Sequence, residues 1–179
     1  MTRQGRRGPD RVLDHDGFPG RWEILETADE TGGERFTTRM ELDEAGELPP
    51  HRHPAAEESY EIIAGELEVQ IEGDWSTVTT GETVVVPPDT AHAFRNTEHA
   101  EVINVHQPAM QFEAFFRGFH RLKTEREVPM PPDGLTSSIL LAMLVVEYEA
   151  ELRVVSPPHW VFKILARLGH LLGYRLPTN

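Results

Sequence analysis

The stretch Gly46-Glu47-Leu48-Pro49-Pro50-His51-Arg52-His53-Pro54-Ala55-Ala56-Glu57-Glu58-Ser59-Tyr60-Glu61-Ile62-Ile63-Ala64-Gly65 decides how the chain is read. Pro49, Pro50 and Pro54 keep it from being helical. On an extended strand, alternate side chains share a face, so His51 and His53 present two imidazoles to one point. From Glu57 onward the alternation puts Glu58, Tyr60 and Ile62 on an apolar, inward face and Glu57, Ser59 and Glu61 on a watered one. An inward carboxylate is costly unless something positive meets it, and a bound cation removes that cost.

A second polar-bearing stretch runs Gly81-Glu82-Thr83-Val84-Val85-Val86-Pro87-Pro88-Asp89-Thr90-Ala91-His92-Ala93-Phe94-Arg95-Asn96. His92 alternates in step with Phe94 and out of step with Arg95, which places it inward as well. Three histidines and one carboxylate, with no sulfur, suit a divalent first-row ion such as Fe, Mn, Ni, Cu or Zn. They do not suit Ca or Mg, which prefer oxygen throughout. Four protein ligands leave about two open positions on an octahedral ion. The competing reading is a set of buried polar groups bonded to one another.

Around these stretches, residues up to Pro108 show alternating apolar positions broken by Gly, Pro, Asp and Asn, the pattern of antiparallel β structure. The expected strands are Trp22–Glu26, Arg35–Leu42, Glu58–Ala64, Leu67–Glu72, Trp75–Thr80, Thr83–Pro87, Ala91–Asn96 and Glu101–Gln107. Glu72-Gly73-Asp74 reads as a hairpin turn. Short strands so spaced favour a sandwich or closed barrel. After Pro108 the period turns helical. Phe112, Phe115, Phe116, Phe119 and Leu122 form one stripe, Leu135–Leu152 a second helix, and Ser156 caps a third that opens on Pro157 and runs to about Leu172. Residues 1–18 are expected to be a flexible N-terminal arm, 19–108 the β-barrel and 109–179 a helical extension.

Charge divides the chain at the same place. Residues 1–108 hold 9 bases and 23 acids, and residues 109–179 hold 8 bases and 7 acids, within 179 residues of net charge −13. So acidic a chain is repelled by phosphates, which argues against nucleic-acid binding. With no cysteine, there are no disulfides, thiolate metal sites or cysteine nucleophiles, as suits a reducing cytoplasm. The basic opening segment has no apolar core behind it, and the longest apolar run, Ile139 to Val146, is too short to span a bilayer. The expectation is therefore a soluble cytoplasmic protein, with membrane contact disfavoured.

The two stretches resemble the paired motifs of the cupin superfamily. His51, His53, Glu58 and Gly65 fall in the register of the first motif, and Gly81, Pro87, His92 and Asn96 in that of the second. Choosing Glu57 would put Ala64 where the motif has glycine, so motif and alternation agree on Glu58. There are two departures. Four residues rather than five separate Gly46 from His51, and Asp89 stands where the second motif has its inner glycine. Asp tolerates the left-handed backbone such a turn requires.

The resemblance, over roughly residues 20–108, implies an all-β fold, a double-stranded β-helix or jelly-roll barrel, and the helical period adds about three C-terminal helices. It also implies one divalent transition-metal ion held by His51, His53, Glu58 and His92. Strand placement puts Tyr60 and Phe94 around a pocket beside it, Met40 and Ile62 deeper, and His106 at its edge if its strand crosses the barrel. The expected partner is a small-molecule substrate or ligand. The expected function is an oxidoreductase of dioxygenase type, or next an isomerase or lyase, with Glu58 or a pocket base as the proton acceptor. A non-catalytic ligand-sensing barrel is the alternative. The apolar helix 135–152 points to a homodimer, or to helices covering their own barrel.

Overall fold

A computed structural model describes residues 11–14, 17–43 and 45–177. In chain order the elements are β1 (Val12–Leu13), β2 (Arg21–Glu26), α1 (Ala28–Thr31), β3 (Phe36–Leu42), β4 (Gly46–Glu47), β5 (His51–Arg52), β6 (Glu57–Ala64) and β7 (Glu66–Ile71). There follow β8 (Asp74–Thr79), β9 (Thr83–Val86), β10 (His92–Asn96), β11 (Ala100–Gln107), α2 (Phe112–Arg126), α3 (Leu135–Glu147), β12 (Arg153–Val154) and α4 (His159–Leu171).

Two antiparallel sheets face each other. One has the order β1-β2-β3-β11-β6-β9; the other runs β12-β5-β10-β7-β8, with β4 also paired to β10. The two facing sheets form a double-stranded β-helix. The alternation that selects each strand also fills the space between sheets. Tyr60 and Ile62 from β6, Leu67 and Val69 from β7, Phe94 from β10 and Val102 from β11 are all buried in one core. Gly65 turns β6 into β7 at φ +75°, where a Cβ would lie 2.2 Å from the His99 carbonyl oxygen. Glycine is therefore required there by both backbone and space. In the β7–β8 hairpin, Ile71 pairs with Asp74 across Glu72 and Gly73. Both loop residues have positive φ, as a two-residue hairpin demands.

The helices lie against this barrel rather than apart from it. α2 lays Phe112, Phe116, Phe119 and Leu122 into the barrel core, with the Phe116 ring centred 4.5 Å from that of Trp22. α4 approaches α3 through Gly169, where a Cβ would meet Met143 Sδ at 2.5 Å and Ile139 Cγ2 at 2.7 Å. Among the described residues no helix is long and apolar enough to cross a membrane.

Three boundaries differ from expectation. Val12 and Leu13, placed in a flexible arm, pair with β2 and bury Leu13; residues 1–10 of that arm lie outside the described residues. The second helix ends at Glu147 instead of Leu152, because the chain turns to lay Arg153 and Val154 against β5. The third starts at His159 behind Pro158, which is extended at ψ 144°, and no side chain caps it. A residue before proline is driven from the helical region, so the Pro157-Pro158 pair delays the helix past Ser156.

Candidate metal centre

β5, β6 and β10 bring the four expected ligands together. His51 pairs directly with His92 across β5 and β10. His53 follows β5, and Glu58 points inward from β6. All four are buried, at 5%, 3%, 4% and 1% exposure for His51, His53, Glu58 and His92. One ligand atom from each lies within 4.8 Å of all the others. Glu57 is exposed, and Glu58 is the carboxylate that joins the cluster.

The outward nitrogens of the three imidazoles fix their tautomers. His51 Nδ1 lies 3.0 Å from the Pro49 carbonyl, His53 Nδ1 2.7 Å from that of Glu151, and His92 Nδ1 2.9 Å from that of Thr90. A carbonyl only accepts, so each Nδ1 carries a proton and, in the neutral ring, each Nε2 presents a lone pair inward. Glu58 Oε2 sits 3.0 Å from His53 Nε2 and 2.7 Å from His92 Nε2. Lone pairs facing a carboxylate oxygen repel unless a positive charge lies between them. A divalent cation supplies that charge, and carbonyl-anchored imidazoles are the outer support that metal-ligating histidines use. The donor set fits a first-row divalent ion.

Glu58 is itself held from behind. Asn104 Nδ2 donates to its Oε1 at 2.8 Å, and His106 Nε2 lies 3.2 Å from the same oxygen. Burial works against the charge on Glu58, but the imidazoles of His106 and His53 outweigh it and hold the carboxyl well below the ordinary range. His51 is pushed well below the usual imidazole range, first by burial and then by His92 and His53 beside it. Burial lowers His92 too, yet its hydrogen bond and attraction to Glu58 leave it raised. Burial pushes His106 down against the pull of Glu58. Burial and then the Glu58 charge push the Tyr60 phenol well up.

A cavity of about 110 Å³ lies against the cluster. Met40, Tyr60, Phe94 and His106 line it as expected, whereas Ile62 does not. Two residues further toward Gly65, Ile62 is buried in the core instead. Sequence reasoning missed the rest of the wall. Trp22 comes from β2, Phe112, Phe115, Phe116 and Phe119 from α2, Leu141 and Val145 from α3, and Val154 from β12. It also missed Asn104, whose role follows only from the pairing of β11 with β6. The remaining described histidines are not part of the cluster. His99 is exposed beside Asp43, His120 and His170 sit on α2 and α4, and His15 lies outside the described residues. His159, not singled out in the sequence, pairs with Glu149.

Residues 38–106 match the family described as Cupin domain. Protein SchB of Streptomyces halstedii is 37% identical over 54 residues, which are 30% of this chain and 39% of that protein. The match thus spans well under half of that curated relative's length. KdgF from a Halomonas species is 20% identical at a TM-score of 0.47, covering 52% of this chain and 83% of its own. An RmlC-like cupin from Shewanella frigidimarina is 20% identical at 0.47, with 52% and 79% covered. A predicted oxalate decarboxylase from Thermotoga maritima is 20% identical at 0.46, with 50% and 82% covered.

Proposed function

Because residues 38–106 form a cupin domain, we propose that the protein binds one divalent transition-metal ion (Fe, Mn, Ni, Cu or Zn) through His51, His53, Glu58 and His92 and acts on a small organic molecule beside it. The observation that carries this reading is the set of three Nδ1-anchored imidazoles that cluster with the Glu58 carboxylate within 4.8 Å, two of them directly against its Oε2. Such an ion supplies Lewis acidity toward a substrate oxygen and, in its redox-active forms, electron transfer to O₂. The chain's own residues do the rest. Asn104 and His106 fix the Glu58 carboxylate, and the aromatic wall excludes water. Glu58 is the one carboxylate among the residues lining the cavity; held ionised, it is the residue to accept a substrate proton.

Oxygenation of dioxygenase type is the first reading within this class, and isomerase or lyase chemistry the second. A non-catalytic sensing role is favoured by one specific contact. The His53 Nδ1 proton is accepted by Glu151 in the helical extension, so a change at the cluster reaches the helices directly. We further propose a cytoplasmic homodimer, supported by the cysteine-free composition and the exposed apolar residues of α4.

Elemental analysis of untagged protein, supplemented with each metal in turn, tests the first claim. About one equivalent of one metal is expected, lost in His92→Ala; less than about a tenth of an equivalent of every metal refutes it. Oxygen uptake by the iron-loaded protein across phenolic and diketone compounds, abolished by His92→Ala, supports catalysis. Tight ligands in a thermal-shift screen without turnover favour the sensor.

A further inference from the structure

The wall of the cavity says what kind of molecule it takes. Trp22, Phe94, Phe112, Phe115, Phe116 and Phe119 surround it, and no lysine or arginine is among the residues lining it. An anionic group lodged away from the cluster would meet rings and aliphatic carbons, with nothing to replace its hydration. The space is fragment-sized: at ~10–15 Å³ for each water, 110 Å³ holds on the order of eight waters, enough for one or two fused rings.

Three buried polar atoms on this wall lack hydrogen-bond partners: Tyr60 Oη, Asn104 Oδ1 and His106 Nδ1. Their donor and acceptor character is set by what their other ends do. Asn104 Nδ2 donates to Glu58, so Oδ1 is left as an acceptor. His106 Nε2 lies against the same carboxylate, so it carries the proton and Nδ1 accepts. Tyr60 offers an O–H. An apolar box with two unfilled acceptors and one unfilled donor matches a ligand that carries both a hydroxyl and an oxygen acceptor.

From this we infer that the cavity binds an uncharged hydroxy-aromatic molecule of one or two rings, and that the helical extension rather than the barrel dictates this choice. Four of the six rings belong to α2, outside the matched residues 38–106. The inference deepens the proposed function and rests on reading this cavity as the substrate site.

Equilibrium binding tests it, followed through the fluorescence of Trp22, which is buried on the cavity wall. The probes are 1-naphthol, 1-naphthoate and decahydro-1-naphthol, at a pH where the first is uncharged. Each is titrated into chelator-treated full-length protein and again after Zn²⁺ is restored. The chelator-treated arm reads the cavity alone, so its outcome is separate from that of the metal reading. Naphthol is expected to bind at least about tenfold more tightly than either of the others. Equal or tighter binding of naphthoate overturns the uncharged class, and equal binding of the saturated alcohol overturns the aromatic one. Met130, half-buried on the same wall, provides the control of place. Met130→Lys is expected to shift the ratio toward naphthoate by about tenfold; an unchanged ratio overturns the assignment to this cavity.

Discussion

Asn104 reaches Glu58 Oε1 through a 2.8 Å hydrogen bond, and without that donor the carboxylate can rotate away from the imidazole nitrogens. Asn104→Leu keeps the volume and removes the bond. It is expected to weaken metal binding about 10- to 100-fold, as loss of an outer support does, measured by competition with a chromophoric chelator. Proton competition gives a second expectation. His92 must be neutral to bind metal, and its affinity for a proton is raised by Glu58. Apparent metal affinity should therefore climb as pH rises through and beyond the ordinary imidazole value of 6.5. A flat profile between about pH 5 and pH 8 would contradict this coordination. At this scale the sequence was legible wherever a residue's type announces its chemistry. Histidine spacing and strand parity singled out the four residues that the structure gathers into one buried cluster, and Asp89 does adopt the left-handed turn position at φ 57°. Asn104 was not legible, because an asparagine in a strand becomes a carboxylate anchor only when β11 lies beside β6.

The elements divide along the same line. Strands of four or more residues bear enough alternation to be read, and β2, β3 and β6 to β11 fall within a residue of their expected bounds at each end. Two-residue strands carry no period, so β1, β4 and β12 come from tertiary pairing alone, and β5 is marked in the sequence only by the prolines around His51 and His53. β12 matters most, because it ties the extension to the strand bearing His51: Arg153 pairs with Arg52 and Val154 with His51. The Val155 N–H also donates to the Pro50 carbonyl at 2.9 Å. Directly paired antiparallel residues lie within disulfide reach, at Cα separations of about 4.5–5.5 Å. Since the chain has no cysteine, Arg52→Cys with Arg153→Cys makes one defined crosslink. Oxidation is expected to stabilise the protein by about 2–4 kcal/mol in chemical unfolding, with full reversal on reduction. It should also slow metal release to a chelator, because the crosslink holds the Glu151 carbonyl against His53. If release were equally fast in both redox states, the extension would not support the site.

Across the whole molecule, charge and apolar surface are laid out in opposite directions. The net charge is −13, yet no acid occurs after Glu151, where Arg153, Lys163, Arg167 and Arg175 are the charged residues. That same segment exposes Trp160 at 63%, Ile164 at 55% and Leu171 at 85%, while Phe162, Ala166 and Gly169 hold the other face of α4 inward. Two copies approaching by their barrels would bring acidic surfaces together; approaching through α4 they keep those surfaces apart and cover apolar side chains. The expected homodimer is therefore driven by apolar contact and opposed by long-range repulsion. The two terms respond differently to salt. Between about 0.1 M and 1 M NaCl the screening length falls from about 10 Å to about 3 Å, which removes the repulsion and leaves the contact. Dimerisation followed by analytical ultracentrifugation should tighten over that range. Trp160→Glu with Leu171→Glu should leave a folded monomer at every salt concentration, because both residues are exposed and their loss leaves the core intact. A dimer that loosened with salt would rest on ion pairs instead, and one that survived both substitutions would use another face.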